Sequence, residues 1–243
     1  QLANCRARLA ADEALAAHRR GAAADAAQAK AREALVEAAL AELEPLCRRA
    51  PTVERLSLLG STHKRHALVA TTPAARLEAL DASAEAYREA FEAGGAKDAY
   101  PFTNWASAVL LAAHLDTAHP RLSPAALEEE LPRLRTGLQE RGGRNPDFWT
   151  AASLADLDLV MLLARSLPAA ETAARGRKRA AEATEACAAL TERILATYRD
   201  ALARGASPRE RASLVENLDA LLALLEGGPP VLGDRLRRIR DAI

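Results

Sequence analysis

Two stretches of this chain repeat one spacing of large and small side chains. In the first, Leu56 and Leu59 are large, Gly60 is small and His63 follows three positions on; in the second, Phe102, Trp105, Ala106 and Val109 take the same places. A 3.6-residue helix puts such positions on one stripe. The small residue lets a neighbouring helix approach closely, and the large ones fill the gap on either side of it. The pattern therefore predicts helices packed in pairs and repeated along the chain, and it points to no reaction.

Composition agrees with a helical reading. Hydrophobic residues make up 49% of the 243 positions and aromatics only 3%, so alanine and leucine carry most of the apolar content. Both are strong helix formers with no β-branch. No alternating segment of strand length with turn signals is present, so no sheet is predicted. The expected class is all-α, an irregular array of antiparallel helix pairs of the α-solenoid kind.

Pro, Gly and capping residues place the breaks. Helices are predicted over 2–20 and 22–49, interrupted at Gly21, with Pro45 kinking or ending the second. Thr52 caps a helix running to Val69, and Thr72-Pro73 opens one that Gly94-Gly95 stops after Ala93. The next spans 100–118. Ser123-Pro124 starts a helix that Pro132 is expected to bend or shorten. Asp147 opens the most apolar helix, with Trp149, Leu154, Leu157, Val160, Met161 and Leu163. A long helix follows from Pro168 to Ala203, with Gly176 as a break. Ser207 and Glu210 have capping-box spacing, and Gly227-Gly228-Pro229-Pro230 separates a short last helix. Three segments are expected: N-terminal helices over 1–50 that cap or link, a repeat array over 51–228, and a C-terminal capping helix over 229–243.

Charge and cysteine usage narrow the function classes. Lys+Arg and Asp+Glu both number 33, whereas a nucleic-acid binder ordinarily carries a basic excess. Three widely spaced cysteines, Cys5, Cys47 and Cys187, argue against a disulfide framework and fit a reducing cytoplasm. No apolar run reaches the ~20 residues of a membrane span, and no signal peptide opens the chain. Only four basic residues are lysine, which with the abundant alanine suggests a bacterial, GC-rich source. The chain begins at Gln1 and is read as a piece of a longer protein.

These stretches resemble tetratricopeptide repeats. Leu56, Leu59, Gly60 and His63, then Phe102, Trp105, Ala106 and Val109, match first-helix positions of that family. Ser83, Tyr87 and Ala90 match its second-helix positions, as do Tyr198 and Ala201, with Ile194 where a small residue is expected. About 11 residues more than a standard repeat allows separate His63 from Ser83, so the array is irregular. The segments Glu54–Arg65, Asp98–Trp105 and Tyr198–Ala201 look like the irregular repeat region of bacterial proteins that also carry a caspase-like CHAT domain. They are similar as well to the TRAFs-binding region of some kinases. The resemblance covers about residues 52–226 and implies a regulatory, protein- or peptide-binding scaffold beside an attached effector domain. It places Asn104 on the groove face, able to hydrogen-bond a partner's backbone, with Lys64 and Arg65 as lesser candidates.

Other candidates have plainer readings. No catalytic constellation, metal-ligand motif or cofactor motif appears, so any catalytic domain is expected to lie outside this chain. His63 and His66 share a helix face but lack further ligands at metal spacing; His114 and His119 are read as partly exposed. Asp156 and Asp158 lie two apart on different faces, one expected to pair with an arginine and the other to be solvated. Trp105 and Trp149 are read as core anchors, and the cysteines as buried, inert thiols. Arg175, Arg177, Lys178 and Arg179 form the densest basic run, read as a solvated helix start, and Arg235, Arg237, Arg238 and Arg240 lie on the amphipathic last helix. An all-α enzyme or small-ligand domain with an interhelical pocket, and a nucleic-acid-binding helical array, stand as alternatives to the scaffold.

Overall fold

The computed structural model describes residues 2–21, 25–120, 122–143, 146–167 and 177–243, with side chains described for all of these except 177–181. Among the described residues there are ten helices and no strand. They are α1 (Leu2–Arg19), α2 (Ala26–Arg49), α3 (Val53–Val69), α4 (Pro73–Ala93), α5 (Ala99–Leu115), α6 (Pro124–Gly142), α7 (Phe148–Ser166), α8 (Arg177–Ala203), α9 (Pro208–Leu224) and α10 (Pro230–Asp241).

The predicted caps are made. The Thr52, Thr72, Ser123 and Asp147 side chains each accept from a backbone N–H three residues on, and Ser207 with Glu210 forms the reciprocal capping box. Each satisfies an amide that the first turn of a helix leaves without an intrahelical partner. Neither proline ends its helix: α2 continues through Pro45 to Arg49, and α6 through Pro132 to Gly142. Proline removes one N–H from a helix interior without ending it when the flanking turns are held by packing. Here Leu43 and Cys47 flank Pro45 in the core, and Leu131 and Leu134 flank Pro132. The helix expected over 100–118 ends at Leu115, where Asp116 takes the C-cap position. The Pro168 start and Gly176 break lie outside the described residues.

The helices form two compact units, residues 1–116 and 117–243. α1 and α2 both pack on α3 within the first unit, and α10 packs on α8 and α9 within the second. Short connections cannot isolate amphipathic helices whose apolar stripes need a neighbour.

In the first unit, α1 to α5 pack consecutively as antiparallel pairs, and α1 also reaches α3. The α3–α4 contact rests on Gly60. A Cβ there would lie 2.6 Å from the Tyr87 ring, and the Ser83 hydroxyl donates to the Gly60 carbonyl at 2.8 Å. The small–large alternation read from the sequence is thus one physical interlock: Tyr87, wholly buried, fills the space that Gly60 leaves. Phe91, Phe102 and Trp105 extend the seam between α4 and α5, with ring centroids 5.3 to 6.2 Å apart.

In the second unit, α7 packs against α6 and α8. Leu157, Leu162 and Leu163 of α7 are fully buried, as are Ile194 and Ala201 of α8, with Tyr198 nearly so. The unit is tied by charge as well. Asp158 accepts from Arg135 of α6 and from Arg193 of α8. Asp219 accepts from Arg240 at 3.1 Å, joining α9 to α10.

Candidate functional site

The three residues singled out as partner-binding, Lys64, Arg65 and Asn104, all lie in the first unit, on the side where α3 meets α1 and α5. Lys64 and Asn104 are brought together, with Lys64 Nζ donating to Asn104 Oδ1 at 2.8 Å. The same carboxamide donates through Nδ2 to the Tyr100 carbonyl, one turn back on α5, at 2.9 Å. Arg65 Nη1 donates to Ser61 Oγ on its own helix at 2.8 Å and to Asn4 Oδ1 of α1 at 3.4 Å. All three candidates are half-buried.

The local sequence explains the arrangement. Ser61 and Arg65 stand one turn apart, so the hydroxyl steers the guanidinium along the helix. Lys64, one residue on, leaves α3 at a different angle and reaches α5. Beneath them sits the Tyr87 hydroxyl, close to Ser61, Arg65 and Tyr100; its pKa is raised, by burial first and by Tyr100 second. It stays protonated at physiological pH and is buried without a hydrogen-bond partner. Tyr100, half exposed, meets the Tyr87 ring edge-on at 6.1 Å. The face thus offers two cations, an oriented carboxamide and an aromatic surface.

Sequence reasoning passed over Asn4, Ser61 and Tyr100. The Ser61–Arg65 spacing was a readable signal. Asn4 had none, because its role depends on α1 lying beside α3.

The other candidates resolve differently. His63 is half-buried, and burial lowers its pKa. His66 Nε2 lies 4.0 Å from the Glu37 carboxylate. Among the described residues no three His, Cys, Asp or Glu side chains converge as metal ligands do. Asp158 is the aspartate that pairs with arginine. Asp156, expected to be solvated, instead accepts from the buried Tyr198 hydroxyl at 2.5 Å. Trp149 is not a core anchor: it is 51% exposed, while Phe148 beside it is buried. Adjacent helical residues diverge by about 100°, so only one of the two can face the core. Trp105 is half-buried. Cys47 and Cys187 are buried, but Cys5 is exposed. The α10 arginines are occupied within the chain: Arg235 with the Thr184 carbonyl, Arg237 with Asp234, Arg238 with Glu192 and Arg240 with Asp219 and Asp241. Arg175 and the side chains of Arg177, Lys178 and Arg179 lie outside the described residues. No described helix is long and apolar enough to cross a membrane.

Comparison with known proteins supports the repeat reading. Residues 1–111 match the family model described as Tetratricopeptide Repeats-Sensor, TPR-S, a span that ends within α5 of the first unit. This part of the chain is a TPR-like region, and repeats of that type generally mediate protein–protein interaction. No curated protein and no solved structure matches the chain.

Proposed function

We propose that the first unit is a recognition scaffold that binds a protein or peptide segment across α1, α3 and α5. In this reading it is the regulatory part of a larger bacterial effector or signalling protein of the cytoplasm. Any catalytic centre lies outside this chain, in an attached domain. The observation that carries the reading is the Asn104 carboxamide. An amide side chain has two N–H donors and two acceptor lone pairs. Lys64 takes one lone pair and the Tyr100 carbonyl takes one N–H. What is left is the capacity for one further donation and one further acceptance, on a carboxamide held in orientation by the two bonds it already makes. That suits the N–H and C=O of one residue in an extended segment, which point to the same side. Arg65 and the Tyr100 ring flank it and would contact side chains of the same segment.

The test selects binders from a phage-displayed peptide library on the full chain and measures them by fluorescence anisotropy. Selected peptides are expected to lose about tenfold or more in affinity for an Asn104→Ala, Lys64→Ala double variant, as expected for a central contact. A library that enriches no binder, or peptides that bind the variant as they bind the wild type, would overturn the reading.

A further inference from the structure

The second unit holds a charge arrangement that its packing alone does not require. Asp158 sits mid-way along α7, which is less apolar than α5 although expected to be the most apolar helix, and is 3% exposed. Burying a carboxylate is costly unless it is paired, and such pairs often add little net stability against apolar replacements. Two guanidiniums meet it from opposite neighbours. Arg135 Nη2 donates at 2.5 Å, and Arg193 donates through Nε and Nη2 at 2.6 Å each. The cluster therefore carries two positive charges against one negative.

The three groups are not equally enclosed. The side chains of Arg135 and Arg193 are 31% and 58% exposed, against 4% for Asp158. A guanidinium has five N–H donors over three nitrogens. Asp158 engages Nη2 of Arg135 and the Nε–Nη2 edge of Arg193. The nitrogens left over are Nε and Nη1 on Arg135 and Nη1 on Arg193. Arg135 has no buried nitrogen without a partner, and more than half of the Arg193 side chain is exposed, so both guanidiniums keep donor capacity toward solvent. The buried carboxylate thus gathers two partly exposed guanidiniums, whose Nη2 atoms share its Oδ1. Fixing two long side chains removes rotamer entropy that a ligand would otherwise have to offset.

We propose that Arg135 and Arg193, positioned by Asp158, form a binding site for a phosphate group. Every outward group is a fixed N–H donor, so the ligand is an acceptor. The net positive charge makes it an anion. A phosphate carries a charge of about −1.5 to −2 and presents three acceptor oxygens, enough to bridge donors arriving from two helices. Arginine recognises such groups through geometry as well as charge. The site is separate from the Asn104 face, lies outside residues 1–111, and stands or falls independently of peptide binding.

The test follows the arginine Nε–H resonances of the full chain by NMR during titration at constant ionic strength, which removes general screening effects. Inorganic phosphate, phosphoserine and glutamate are the three probes. Phosphate and phosphoserine are expected to shift the Arg135 and Arg193 signals saturably. Arg193→Gln and Arg135→Gln, each checked for native helical content by circular dichroism, are expected to weaken binding about tenfold or more. Tighter binding of phosphoserine than of inorganic phosphate would identify a phosphorylated side chain as the source. The reverse order would identify a small phosphate compound. No saturable shift with either probe, unchanged affinity in the folded variants, or glutamate binding as tightly as phosphate would each overturn the proposal.

Discussion

Gly60 shows how much one side chain can decide. A methyl group there would enter the Tyr87 ring at 2.6 Å. Tyr87 is wholly buried and leans on Tyr100, so it has no free direction in which to retreat. Alanine is the better helix former by ~1 kcal/mol, but overpacking a filled core costs about 1–3 kcal/mol, and packing wins here. Gly60→Ala is expected to lower the urea midpoint of unfolding, and a midpoint at or above that of the wild type would show that α3 and α4 separate easily. The same glycine was legible in the sequence because its neighbours repeat at Ala106. The exposure of Trp149 was not legible. Phe148 and Trp149 are equally apolar, and only the angle at which α7 enters the second unit chooses between them.

Helix boundaries follow from a few residues, and most of them were readable. Ser207 and Glu210 close a complete capping box, with the Ser207 hydroxyl accepting from the Glu210 amide at 3.2 Å and the Glu210 carboxylate accepting from the Ser207 amide at 2.8 Å. Ser207→Ala is expected to cost about 1 kcal/mol. Amide exchange in the first turn of α9 should speed up accordingly, and unchanged protection there would count against the cap. The prolines were harder to read. Local chemistry predicts a kink or an earlier end at Pro45 and a bend or shortening at Pro132, and the early end does not occur: α2 and α6 continue through both. A lost backbone hydrogen bond is a local cost, whereas buried side chains to either side, Leu43 and Cys47 in α2 and Leu131 and Leu134 in α6, hold the helix from outside it. Propensity is a weak guide wherever packing opposes it.

At the scale of the whole molecule, the first unit carries its own pH dependence. His63 has a lowered pKa, caused first by burial, with Glu44 opposing and His66 adding. His114 is lowered by burial as well. A histidine whose folded pKa lies below its unfolded value, near 6.5, binds protons more readily when unfolded. Its contribution to stability is complete above that value and is lost as pH falls through it. The urea midpoint is therefore expected to drop between pH 7.5 and 5.5, and His63→Gln should flatten that slope. A slope unaltered in the variant would remove His63 from the account. The division at residue 116 was not legible. Breaks in a sequence mark where helices end, and the residues around Asp116 look no different from other turns. Which helices share a core depends on which apolar stripes meet.

The sequence by itself determined the helical class, the caps at Thr52 and Ser207, and Gly60 as a point of close helix approach, because each depends on residues within one or two turns or on a spacing repeated along the chain. It also supplied Asn104, Lys64 and Arg65 as candidates through resemblance to a repeat family. Tertiary structure alone decided that Lys64 meets Asn104 across two helices, that Asn4 joins Arg65, and that Asp158 gathers Arg135 and Arg193 from helices 23 and 35 residues away. Such contacts are set by how neighbouring helices lie against one another, and no local spacing encodes that.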